Sequence, residues 1–148
     1  MSRRAPETGG GLHALLAQLQ LTDSGFPSGL YTLSHGVEGY LQARIVEPDG
    51  LHGLVSELVR AAGTADAAAL ALTHRAVASG DWDEVVETDR RLHAIKLSRE
   101  QRTASVRTGR QVLGLAGPAF ASGPAARLGR LVAGGVTPGN HAVVVGAS

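Results

Sequence analysis

The sequence predicts an all-α protein, a bundle of about six to eight helices joined by short connections. Three observations carry that expectation. Apolar residues recur at helical spacing along most of the chain. Hydrophobic residues make up 43% of the 148 positions but aromatics only 3%, so the core is built from Ala, Leu and Val. Ala and Leu favour helices, whereas strands recruit aromatic and β-branched residues. Strand composition is confined to residues 141–145, and a lone strand has nothing to pair with. That segment reads instead as the first turn of a further buried helix.

The elements follow in order. Residues 1–10 are expected to form a disordered tail ahead of a helical domain over 11–148. Leu12, Leu15, Leu16 and Leu19 make the first helical stripe, ending near Thr22. A Gly/Pro loop leads to a second helix from about Leu30 to Ala43, with Leu30, Leu33, Val37, Tyr40 and Leu41 on its buried side. Pro48 opens a third, at a position where proline is tolerated. Its stripe of Leu51, Leu54, Val55, Leu58, Val59 and Ala62 is the cleanest in the chain. A fourth, Ala-rich helix covers about Ala65 to Ser79 with Leu70, Leu72 and Val77. Asp81 with Glu84, and Ser98 with Gln101, have the type and spacing of helix-starting caps. They open a fifth helix holding Trp82, Val85, Val86, Leu92 and Ile95, and a sixth reaching about Ala116. Gly117-Pro118 stops the sixth. A short helix over about Ala125 to Ala133 ends at Gly134-Gly135. The apolar run to Ala147 then stops at Ser148 without a polar tail, so the domain is expected to be incomplete at its C-terminal end.

Charge is unevenly placed. The net value is +1, which argues against bulk attraction to nucleic acid or to a membrane. Residues 1–95 nevertheless hold seven arginines against twelve carboxylates. Residues 96–148 hold Lys96 and six arginines against Glu100 alone. That basic part is either a solvated helix face or a contact surface for an acidic partner. The absence of cysteine excludes disulfides, thiolate ligands and a cysteine nucleophile, and fits a cytoplasmic setting. No apolar run approaches transmembrane length, and the start of the chain does not read as a secretory signal.

Catalytic patterns are weak. The P-loop pattern is missing, and Lys96, the one lysine, follows no Gly-rich loop. The histidines are His13, His35, His52, His74, His93 and His141, and no two have the i, i+4 spacing of a helical metal pair. His35 and Glu38 share a helix face and could share a metal, although capping is commoner. Ser34-His35-Gly36 half resembles a nucleophile elbow, but Thr32 stands where its first glycine belongs and no strand precedes it. Ser34 is better read as a cap or a point of close helix approach. Ala104, Ser105, Thr108 and Gly109 present small side chains at helical spacing, which suits close helix contact. Arg99, Arg102, Arg107 and Arg110 offer the rival reading of a helix that contacts nucleic acid, without the aromatics that usually stack bases.

The densest set of local constraints lies between Asp23 and Glu38. It contains Phe26-Pro27-Ser28-Gly29, then Tyr31, then Ser34-His35-Gly36-Val37-Glu38. This run resembles the signature of UreF-type urease accessory proteins, with Val37 in place of the usual leucine. Glu100, Arg102, Ala104 and Ser105, followed by Gly109-Arg110, resemble a later helix of that family. His141-x-Val143-Val144-x-Gly146 is a weaker third match, with Ala142 and Val143 where an aromatic and a proline are common. The three blocks occur in the family's order.

The resemblance implies an all-helical fold and a role in assembling the nickel centre of urease, without enzymatic activity of its own. It implies a scaffold between UreD (also called UreH) and the GTPase UreG, docking on apo-urease. Nickel and GTP would be handled by those partner proteins, with no cofactor held by this chain. A homodimer is also open, and neither nucleic acid nor membrane is an expected partner. The family-motif residues carried over are Asp23, Phe26, Pro27, Gly29, Tyr31, Ser34, Gly36, Glu38, Glu100, Arg102, Ser105, Gly109, His141 and Gly146. Phe26, Tyr31 and Glu38 are either partner contacts or, for the two aromatics, core fillers. Two other classes remain at this point: a helical nucleic-acid-binding or regulatory protein using the basic C-terminal third, and a small hydrolase or metal enzyme built around Ser34, His35 and Glu38.

Overall fold

The computed structural model describes residues 11–12, 15–16, 19–20, 23, 25–28, 34, 36–116 and 123–148. They form helices and connections, with no strand among the described residues. Residues 11–12, 15–16 and 19–20 are helical, as their leucine spacing predicts. The expected end of that helix at Thr22, Leu30 and Leu33 of the second helix, and the Gly117-Pro118 stop lie outside the described residues; Ser34 and Gly36, expected inside the second helix, are not helical, because Gly36 takes a left-handed φ of 92° and the helix starts only at Val37.

Helix α1 runs Val37–Gln42, behind Gly36 as its N-terminal cap residue. A 3₁₀ turn at Pro48–Gly50 leads into α2, Leu51–Ala62, followed by a π-helical turn, Gly63–Ala67, and α3, Ala68–Ser79. Sequence spacing predicts two separate helices here. The backbone instead stays right-handed through Ala62, Gly63 and Ala67, so the rod is continuous. A helical glycine costs only about 1 kcal/mol, and the π turn absorbs one extra residue without ending the hydrogen-bonded run.

Helix α3 ends where Gly80 takes a left-handed φ of 78°. Gly80 N–H reaches Val77 C=O at 3.1 Å, and Asp81 N–H reaches Ala76 C=O at 2.8 Å, the paired bonds of a Schellman stop. Asp81 then caps α4, Trp82–Ile95, its side chain accepting Glu84 N–H at 3.0 Å. Ser98 does the same for α5, Arg99–Ala116, accepting Gln101 N–H at 3.0 Å. Both expected caps therefore form. Helix α6 covers Pro124–Ala133, and the short α7 covers His141–Gly146. Residues 141–145 are helical, with Ala142, Val143 and Val144 buried, in line with the buried helix read from the sequence.

The core lies where α7 wedges between α3 and α5, with α4 and α6 closing the sides. Val143 and Val144 are fully buried there, beside Val85 and Leu92 of α4, Val112 of α5 and Leu128 of α6. The facing of two helices differs from expectation. Helix α3 buries Ala69, Thr73 and Ala76, while Leu70 and Leu72 are exposed. Helix α2 leaves Val55 and Val59 exposed, at 43% and 67%, with Leu51, Leu54 and Leu58 only half-buried. Tyr40, expected on the buried side of its helix, is exposed, as is Ile95 at the end of α4. Amphipathic spacing marks a face that can be buried; which stripe is covered depends on the neighbours the fold supplies.

Close approach explains α3. A Cβ on Gly146 of α7 would lie 2.6 Å from Leu70 O and 3.1 Å from Thr73 Cβ, so α3 meets α7 through small residues. On α5, a Cβ on Gly109 would lie 2.1 Å from Gly139 O. Gly109→Ala is therefore expected to destabilise the protein by at least about 2 kcal/mol. Gly114→Ala, on the same helix with open space around it, is expected to stabilise it by about 0.5 kcal/mol. Urea denaturation of both variants checks the pair, and equal effects would contradict the assigned packing.

Candidate functional site

The turn that feeds α7 carries the densest polar geometry in the molecule. Asp89 lies on the buried face of α4 with Val85, Thr88 and Leu92, and is 0% exposed. Its Oδ2 accepts Thr137 Oγ1–H at 2.6 Å and Gly139 N–H at 2.6 Å. Its Oδ1 accepts Asn140 N–H at 2.9 Å and Asn140 Nδ2–H at 2.7 Å. Asn140 Nδ2 also donates to the Asp89 carbonyl at 3.1 Å. The neighbouring Arg90 Nη2 reaches Val136 O at 2.8 Å. A carboxylate buried without donors would cost several kcal/mol, and these donors offset that cost. In return they define the path of Thr137-Pro138-Gly139-Asn140. Gly139 adopts φ 83° there, with Val132 side-chain carbons 2.9–3.1 Å from where its Cβ would stand.

A second polar joint lies at the C-terminal end of α4. Lys96 follows that helix and places Nζ 2.8 Å from both carboxylate oxygens of Asp66, in the π turn. The Lys96 side chain is 14% exposed and that of Asp66 34%. Arg102 Nη1 donates to the carbonyls of Lys96 and Leu97, satisfying the end of α4 from α5. His141 opens α7 nearby, and its pKa falls below the ordinary 6.5. Burial is the main cause; the Asp66 charge opposes it and the Lys96 charge adds to it.

The family-motif residues fall in different parts of the structure. Arg102, Ser105, Gly109, His141 and Gly146 converge on the joints around α7. Ser105 is half-buried, and its hydroxyl has no hydrogen-bond partner among the described residues. Glu100 shares their helix but is exposed. The opening loop docks elsewhere on α5: Gln111 Nε2 donates to Pro27 O at 2.6 Å. In that loop Asp23 accepts Gly25 N–H through Oδ1 at 2.6 Å and Phe26 N–H through its carbonyl at 3.0 Å. Phe26 is half-buried against the core.

Ser34, Gly36 and Glu38 are exposed around the start of α1. The Ser34 reading needs correction, because its side chain neither caps α1 nor lies between helices. Its carbonyl accepts Val37 N–H at 3.0 Å, and α1 has no side-chain cap. Gly29, Tyr31 and His35 lie outside the described residues. Among the described residues, no three His, Asp or Glu side chains lie close enough together to hold a metal.

Sequence reasoning missed Asp89, Thr137, Asn140 and Asp66. One signal was present: Thr88 and Asp89 stand between Val85 and Leu92 at i+3 and i+4, on the face those two apolar residues mark for burial. An acid at such a position needs buried donors, and the Thr-Pro-Gly-Asn turn could supply them. The hydrogen bonds named here hold one helix end to another, which makes this region a structural joint.

The lowered pKa of His141 has a sign. The folded state favours the neutral ring, so its contribution is intact above pH 6.5. It is lost as pH falls from 6.5 towards the lower folded value, because the unfolded chain takes the proton first. Urea midpoints measured on either side of that window are expected to drop on acidification, and to drop less in His141→Gln. An undiminished drop in the variant would place the acid sensitivity on another group.

Comparison with known proteins agrees with this frame. The UreF family model matches residues 45–148, which includes α5, the Asp89-held turn and α7 but not the run from Asp23 to Glu38. The urease accessory protein UreF of Yersinia pestis (strain Pestoides F) is 32% identical over 99 residues, 66% of this chain and 43% of that protein. The UreF proteins of Yersinia enterocolitica (serotype O:8 / biotype 1B) and Yersinia pseudotuberculosis (serotype IB) are 31% and 32% identical over the same length. The chain thus spans less than half the length of the curated relatives it matches. No solved structure matches it. With the family model covering most of the chain and the motif residues of α5 and α7 packed against one another, this protein belongs to the UreF family of urease accessory proteins.

Proposed function

We propose that the chain serves urease maturation as a scaffold between UreD/UreH and the GTPase UreG, and that it modulates the GTP-dependent delivery of nickel to apo-urease. The observation that carries this reading is the family match across α2 to α7. In this role nickel is cargo and GTP is the partner's substrate. The chain's own part is to hold surfaces in register and to prefer one state of its partner. A scaffold that binds one nucleotide state of a GTPase more tightly shifts that enzyme's equilibrium by the difference in affinity. The joints at Asp89 and Lys96 suit such work, because a docking surface transmits a preference only if its helices keep their relative positions. The cytoplasm, where apo-urease is made, is the proposed setting. Among the described residues no helix is long and apolar enough to cross a membrane.

Deletion of the gene in its host, followed by metal analysis of purified urease, tests the proposal. Urease from the deletion strain is expected to hold less than about a tenth of the normal nickel and to regain it when the gene is restored. The chain is also expected to co-purify with tagged UreD. Normal nickel content in the deletion strain would overturn the proposal.

A further inference from the structure

Arginines gather on the outward face of α5. Residues 101–148 hold five arginines and no carboxylate. Arg102 is spent on the carbonyls that end α4, and Arg127 lies over the Trp82 ring at 4.4 Å. Arg107 and Arg110 of α5 and Arg130 of α6 are exposed, with no ion pair among the described residues. Arg99 has only a 3.9 Å approach to Glu100, and both side chains are almost fully solvated. Two surface arginines elsewhere are neutralised locally, Arg60 by Glu57 on α2 and Arg91 by Glu87 at 2.6 Å on α4, while Arg44 and Arg75 stand singly, with no ion pair among the described residues.

The uncompensated arginines are also aligned. Thr108, Gly109 and Val112 turn α5 inward, which leaves Arg99, Thr103, Arg107 and Arg110 on the opposite side. Arg99 and Arg107 are separated by about 12 Å along the axis. A hollow of about 470 Å³ lies there, lined among the described residues by Arg99, Glu100, Thr103, Ala104 and Arg107.

We propose that this face of α5 docks a carboxylate-rich segment of a partner protein, with acidic side chains entering between Arg99 and Arg107 and running on to Arg110. Guanidinium groups match carboxylates through paired hydrogen bonds, and the hollow gives a side chain somewhere to enter. Nucleic acid fits less well. Helix α5 itself contains no Phe, Tyr or Trp to stack bases, and residues 1–95, with twelve carboxylates against seven arginines, repel a long phosphate backbone. This inference stands apart from the accessory role: the peptide assay below can fail while the nickel assay succeeds, and the reverse.

Fluorescence anisotropy of a labelled peptide of alternating Glu and Ser, titrated with the whole chain, tests it. Saturable binding is expected at about 50 mM salt and a large loss at about 300 mM. Arg107→Gln combined with Arg110→Gln is expected to weaken binding roughly tenfold while leaving the unfolding midpoint in place. Arg60→Gln on α2 should bind as the parent does. Absence of binding at low salt, an equal loss in Arg60→Gln, or tighter binding of duplex DNA of matched charge would each overturn the proposal.

Discussion

Asp89 carries a carboxylate into the centre of a bundle whose buried apolar residues are Ala, Val and Leu, and one turn supplies the four hydrogen-bond donors it accepts. That arrangement places α7. The turn arrives from α6, must clear Val132, and must pass close to Gly109 on α5 before Asn140 starts the helix. Apolar packing alone would let a six-residue helix slide or rotate, because dispersion contacts are non-directional. Charge-assisted hydrogen bonds are directional, so Asp89 selects one position in which Val143 and Val144 both become fully buried. Removing the carboxylate would strand several buried donors, a loss of about 3 to 5 kcal/mol.

The glycines complete what the carboxylate begins. Gly109 lets the turn lie against α5, and Gly146 lets α7 lie against the carbonyl of Leu70. Both belong to the blocks that resemble the family, as do Arg102 and His141 at the neighbouring joint. The resemblance in this half of the chain is thus a record of how three helices meet. Exposed groups such as Glu100, Arg107 and Arg110 are not needed for that packing, which frees them for contact with other molecules.

Local features were legible in the sequence. The caps at Asp81 and Ser98 are set by groups three residues apart, and both form. The helical nature of residues 141–145 followed from strand-like residues having no strand to pair with. What could not be read depends on distance along the chain. Asp89 and Asn140 are 51 residues apart: an acid on a buried face signals a need for donors, but not which distant segment supplies them. The stripe on α2 is more regular than that on α3, yet α3 is the better covered, because Gly146 brings α7 against Ala69 and Thr73. Gly63-Thr64 looked like a boundary, but α2 and α3 continue through it as a π turn whose Asp66 is held by Lys96. Of the opening run, Phe26 was legible as an aromatic needing a place and is half-buried against the core, while Ser34 misled because its carbonyl, not its hydroxyl, serves α1.

The central claim is that Asp89 seats the turn and thereby α7. Native-state hydrogen exchange at the amides of Gly139 and Asn140 tests it most directly, since both protons point at the carboxylate. In the parent protein they are predicted to exchange only with global unfolding, as slowly as the amides inside α4. In Asp89→Ala they are predicted to exchange by local opening while the α4 amides stay protected. Rapid exchange of Gly139 and Asn140 in the parent, or protection unchanged by the substitution, would contradict the account.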